Sequence, residues 1–332
     1  MTESTAEWKY EPVPPSASVL YRMLWQLETW LRTMVYVELK AARTDWEEPI
    51  KANLWANSLT NDKVQHHMAT SHQVGISYLT FGQLWKIISD NRPMFEPYFP
   101  PEANTVPRME EVKTIRNRIA HFREPHRHDV DRLKLFMKDM EAGIRKFCFR
   151  YCVGKRPQSS ADEPVHESLE TQWETIGYGI ELHTPLGWLY APGHLLRSPK
   201  LNATLELLTH KNYTRGSMEG VVYKLTFSPN LSGQFDVKRF VDATRDHHKD
   251  IIHILLGRDS HSPAVTIPAI HGVATTVDLI SKFLSAALNS QYGDRQSLER
   301  ETLNWPENIL WPEHILSFFD SDITEPILMI DD

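Results

Sequence analysis

Arg116-Asn117-Arg118-Ile119-Ala120-His121 places an arginine five residues before a histidine, and an asparagine one helical turn before that histidine. With 20 Arg and 16 His in 332 residues, about one Arg-x4-His pair is expected by chance, and Arg123 to His128 is indeed a second. Requiring the asparagine lowers the expectation to about 0.03, so the surroundings of the hexamer decide its meaning. Pro107 stands just ahead of Met109-Glu110-Glu111-Val112-Lys113-Thr114-Ile115, whose early acidic residues suit a helix start, and no proline or glycine follows until Pro125. The spacing predicts a helix near 108–122. On it Asn117 and His121 are i,i+4 neighbours, so the amide can orient the imidazole. Arg116 lies about 140° round the axis, with a side chain long enough to swing back. Pro125 separates Arg123 from His128 and breaks any helix joining them.

The neighbouring segments are helical too. Leu20, Met23, Leu24, Leu27, Leu31, Met34 and Val35 recur at three- and four-residue steps and predict a helix over 16–43 with one apolar face. A shorter helix is expected near 62–72. Thr80-Phe81-Gly82-Gln83 reads as a capping box, with Leu79 and Leu84 placed for a hydrophobic staple, and starts a helix reaching about Asp90. Val130, Leu133, Met137, Met140, Ile144, Phe147 and Tyr151 form the last stripe, suited to a core or a dimer seam. Amphipathic helices joined by modest loops describe an all-α bundle.

From about residue 16 to 152 the chain resembles the HEPN superfamily, particularly its Abi-like and related small-bundle branches. The resemblance rests on Glu28-Thr29-Trp30-Leu31-Arg32, on Tyr78-Leu79-Thr80-Phe81-Gly82-Gln83-Leu84, and on Arg116 through Arg123 followed by Asp129. It implies a helical bundle and, with Arg-x4-His present, a metal-independent endoribonuclease that needs no cofactor. It assigns catalysis to Arg116 and His121, with Asn117 orienting His121 or binding phosphate. An acidic residue at the place of Glu28 often faces that pocket, the alternative being an exposed helix carboxylate. Arg118, Arg123, His126, Arg127 and His128 are the candidates to touch RNA, although His126 and His128 also suit a plain surface loop. Family members commonly pair two motif helices across a two-fold axis, which implies a homodimer with a composite active site. The implied setting is prokaryotic defence against phage, abortive infection, or a toxin, with a phage or cellular trigger or an antitoxin as partner. The competing class is a non-catalytic HEPN module that binds RNA or protein.

Charge distribution fits a localised phosphate site. The net charge is −7, yet residues 108–156 hold 14 Lys and Arg against 7 Asp and Glu, leaving −14 on the rest. Basic helix faces are also common in proteins with no such partner. An apolar content of 41% supplies a packed core. No basic leader precedes an apolar run at the N-terminus, and no stretch approaches the length of a membrane span, so a cytoplasmic protein with no membrane partner is expected. Cys148 and Cys152 read as core cysteines of a reducing compartment. His66, His67 and His72, like His247, His248 and His253, lack a further ligand at metal-site spacing. Phosphate-cradling glycine loops, His-Glu-x-x-His and Gly-x-Ser-x-Gly are absent from the sequence.

Beyond a linker at 153–170 the texture changes. Strands are expected at Thr175–Leu182, Gly187–Tyr190, Ala203–Thr209, Gly220–Phe227 and Ala264–Ile270, and helices at Phe235–Leu256 and Val273–Leu288. That order implies an α+β domain over 171–332, read as regulatory or recognition machinery.

Overall fold

The computed structural model describes residues 12–52, 60–61, 64, 75–152, 164–169, 180–181, 194–197, 201–209, 218–229, 235–257, 263–290, 305–311, 314 and 316. The described residues up to Cys152 are mainly helical. It comprises α1 (Pro15–Ala42), α2 (Glu48–Lys51), α3 (Phe81–Asp90), α4 (Arg92–Phe95), α5 (Glu102–Ala120) and α6 (Asp129–Cys152), with 3-10 turns at Gly75–Tyr78 and Glu96–Tyr98. The helix expected at 62–72, apart from residue 64, and the strand at Gly187–Tyr190 lie outside the described residues, as do His66, His67 and His72.

Each bundle helix forms for a reason written in its own residues. The apolar stripe of α1 is buried at Leu20, Met23, Leu24, Leu27, Leu31, Met34 and Val35. The capping box of α3 is present: Gln83 N donates to Thr80 Oγ1 at 3.4 Å, and Thr80 N donates to Gln83 Oε1 at 2.8 Å. In α6 the stripe from Leu133 to Tyr151 is fully inside the chain, which makes it core and not a seam between copies. Gly143 lets α6 cross the Glu96–Tyr98 turn closely, because a Cβ there would run into the Tyr98 carbonyl.

The remaining chain builds a seven-stranded mixed sheet with the order β1-β2-β3-β4-β6-β5-β7. Its strands are β1 (Ile180–Glu181), β2 (His194–Arg197), β3 (Leu201–Thr209), β4 (Val221–Pro229), β5 (His253–Leu255), β6 (Ala264–Pro268) and β7 (Ile309–Leu310). All neighbours pair antiparallel except β5 and β7. Helices α7 (Val237–Ala243) and α8 (Val273–Asn289) belong to this half. The single helix expected over Phe235–Leu256 is therefore corrected. The Thr244 hydroxyl bonds back to the Phe240 and Val241 carbonyls where α7 ends, and a 3-10 turn at Arg245–Asp250 follows. The run Ile251 to Leu256 is buried throughout, and its central residues form the inner strand β5.

Side chains alternate across the sheet, and each face has its own cover. Tyr223, Leu225 and Phe227 of β4, with Val265 and Ile267 of β6, join Phe240, Ile280 and Phe283 in one core. Val222, Ile252, Leu255 and Ala264 join the bundle core instead. The helical half and the sheet half thus share a continuous interior. Tyr36 Oη donates to the Ile252 carbonyl at 2.9 Å, and Gly220 N to the Ala41 carbonyl at 3.0 Å. Tyr151 Oη lies 2.7 Å from both His253 Nδ1 and Thr266 Oγ1. Burial holds the His253 imidazole well below its ordinary pKa, which suits a neutral ring in that network. This packing also explains why Tyr36 through Ala41 are buried without a break. Among them Glu38 accepts from Tyr98 Oη and Arg150 Nη1, each at 2.8 Å, and Lys40 Nζ donates to Tyr36 Oη at 3.0 Å.

Candidate functional site at the end of helix α5

Helix α5 starts earlier than its sequence suggests, with Pro107 inside it. The first turns are anchored by buried Thr105, whose hydroxyl donates to the Pro100 carbonyl at 2.8 Å. Met109, Val112 and Ile115 then fix the buried face. Arg116 and Asn117 consequently ride at the surface, half-buried and exposed respectively.

The helix ends at Ala120, and His121 is its C-cap with φ −103° and ψ 19°. His121 is exposed there, and the expected hydrogen bond between the Asn117 amide and the His121 imidazole does not form. Their backbone link persists, His121 N donating to the Asn117 carbonyl at 3.3 Å. Past the cap, Phe122 N donates to the Ile119 carbonyl and Arg123 N to the Arg118 carbonyl, both at 3.0 Å. This is a Schellman closure, whose left-handed position usually holds glycine. Here Phe122 occupies it at φ 54° with its side chain 99% exposed.

Glu28 is the residue that brings α1 to this corner. Its carboxylate is 15% exposed, pairs closely with Arg32, and meets Arg116 Nε at 3.7 Å. Arg32 in turn donates to the Leu79 carbonyl at 3.1 Å. The three segments that carry the family resemblance therefore touch in space through Glu28, Arg32, Leu79 and Arg116.

Many cations of the basic segment pair with carboxylates of the bundle, several of them at its surface. Arg108 pairs with Asp139, Lys113 with Glu110, Arg132 with Glu111, Arg145 with Glu141, and Arg150 with Glu38. Arg118 is bound to the nearly buried Asp129, which also accepts from His126 N at 2.9 Å. That pair holds the α5–α6 corner, and it gives the Arg118 guanidinium a carboxylate partner within the chain. Among the described residues, Arg123 and Arg127 have no anionic partner, and both are exposed. His126 and His128 are exposed beside them, with ring centroids 5.5 Å apart.

Sequence reasoning did not single out Phe122, although a phenylalanine directly after a helix-ending histidine was the available signal. Among the described residues, no group of three or more His, Cys, Asp and Glu side chains is arranged to hold a metal. His248 and His253 point into separate buried contacts, with Thr244 and Tyr151. Among the described residues, no helix is long and apolar enough to cross a membrane. No family model, no curated protein and no solved structure matches the chain.

Proposed function

We propose that the chain is a HEPN-type endoribonuclease that cleaves RNA without a metal and works as a homodimer in antiphage defence or as a toxin. The observation that carries this reading is the end of α5. It presents Arg116, Asn117 and His121 unburied, on a corner where Arg123 and Arg127 lack anionic partners among the described residues.

RNA carries its own nucleophile, the 2′-hydroxyl beside the scissile phosphate. Its oxygen forms the new P–O bond, the bond to the 5′-oxygen breaks, and the ends are a 2′,3′-cyclic phosphate and a 5′-hydroxyl. His121 moves a proton between these oxygens, as an imidazole is suited to do near neutral pH. Arg116 donates to phosphate oxygens as their negative charge grows, and Glu28 positions its guanidinium. Phe122 offers an unpaired base a stacking surface, and Arg123 and Arg127 meet the backbone phosphates. A second copy supplies the further acid or base that one Arg/His pair lacks. The sheet half regulates access or recognises a trigger.

The alternative is a non-catalytic HEPN module that binds RNA or protein, and the Glu28–Arg116 pair favours it by giving Arg116 a structural partner. Incubation of the full chain with total RNA, with and without EDTA, separates the two. The nuclease reading expects cleavage in both, ends blocked as cyclic phosphates, and a scattering mass above the 38.5 kDa of one chain. Intact RNA in both arms favours the binding module.

A further inference from the structure

Arg32, the partner of Glu28, also lines a cleft of about 710 Å³ between α1, the Gly75–Tyr78 turn and the edge strand β7. We propose that this cleft is a binding site for a small neutral guanine-type heterocycle, a nucleobase or nucleoside. Its size falls within the range of about 300–1,000 Å³ common to small-molecule sites.

Both walls carry indole rings. Trp25 projects from α1 with 63% of its surface exposed and lies against Tyr21, ring centroids 6.2 Å apart. Trp311, just past β7, stacks on Trp305 at 5.4 Å with planes 23° apart. An exposed tryptophan facing a cleft is costly to leave in water, and a planar ring system is the ligand shape that covers it. Ile76, Ile309 and Leu310 complete the apolar lining.

Two opposite charges define what the ligand's edges must offer. Arg32 and Glu307 are the lining residues that carry full charge, so the cleft is balanced and a polyanion gains little there. Glu307 is an acceptor, already taking the Ser77 hydroxyl at 2.9 Å. Arg32 commits one amino group to Glu28 and Leu79, and its guanidinium, part of a side chain 26% exposed, lines the cleft as a donor. Guanine presents paired N–H donors on one edge, matching a carboxylate, and the acceptors O6 and N7 on another, matching an arginine. Adenine and pyrimidines lack that combination. The same guanidinium reaches Glu28, so the cleft and the Arg116 site share a side chain.

The test titrates the full chain with guanosine, adenosine, uridine and guanosine monophosphate by calorimetry and ligand-observed NMR. Guanosine is expected to bind saturably with a Kd below about 1 mM, ahead of adenosine and uridine, with no gain from the phosphate. Trp25→Ala should weaken it about tenfold or more, and Glu307→Gln should abolish the preference over adenosine. Both positions are exposed, and thermal melts of the variants check that the fold is kept. No saturable binding by guanosine, tighter binding of the monophosphate, or equal affinity in both variants overturns the proposal. None of these readouts depends on RNA cleavage, so a failed nuclease assay and a failed cleft are told apart.

Discussion

Glu28 of α1 and Arg116 of α5 meet at 3.7 Å, Oε2 to Nε, with the carboxylate also held by Arg32. The pair is only part-exposed, so its geometry is constrained more than that of a surface ion pair, whose worth is about 0–1 kcal/mol. Glu28→Gln keeps the shape and removes the charge. It should slow RNA cleavage about tenfold through kcat while leaving the melting temperature nearly unchanged. Unaltered kcat would show that Glu28 does not position Arg116.

Phe122 carries a stability cost that packing does not return. Left-handed backbone costs a non-glycine residue about 1–2 kcal/mol, and a ring that is 99% exposed recovers none of it. Phe122→Gly should therefore raise unfolding free energy by about 1 kcal/mol and weaken single-stranded RNA binding about tenfold. Opposite signs in the two measurements are the signature. A stabilised variant that binds RNA as the parent does removes the stacking role.

Gly143→Ala should act against helix propensity. Alanine normally gains about 1 kcal/mol over glycine inside a helix. At this crossing the added methyl meets the Tyr98 carbonyl, and overpacking costs about 1–3 kcal/mol. Chemical denaturation should show a net loss of stability; a gain would mean that α6 and the Glu96–Tyr98 turn are not closely apposed.

Acid should loosen the sheet half. Burial pushes the His248 pKa from its ordinary 6.5 down to about 4, with Arg245 and His247 adding to the effect. The unfolded chain takes up that proton below about 6.5 and the folded chain only near 4, so stability falls as pH drops through this window. His253, also lowered by burial, acts in the same direction. Glu38, whose pKa burial raises above its ordinary 4.5, opposes the trend above that pH. The urea midpoint should be lower at pH about 4.5 than at pH 7, and a higher midpoint would contradict the neutral buried imidazoles.

The helices were readable because their signals are local. The stripes of α1 and α6 and the Thr80–Gln83 box depend on spacing within one segment, and each appears where its pattern falls. What failed depends on distant chain. Residues 251–256 look helical in a row with 235–250, yet β6 pairs with them from beyond residue 263 and makes them a strand. The burial of Glu38 and Lys40 follows from the sheet and α6 closing over the last turns of α1, which a one-sided stripe does not reveal. At the site, the residues of the hexamer were legible but its geometry was not. The Asn117–His121 spacing assumed a helix through 122, whereas the helix ends at Ala120, two residues sooner, with His121 as its C-cap and Phe122 left-handed.

The most direct test of the nuclease account is cleavage of a defined single-stranded RNA by the parent chain, His121→Ala and Arg116→Ala, each verified folded by circular dichroism. The account predicts cleavage by the parent in EDTA with 2′,3′-cyclic phosphate ends, and a loss of at least about a hundredfold in each variant. Parent-like cleavage by both variants would contradict it.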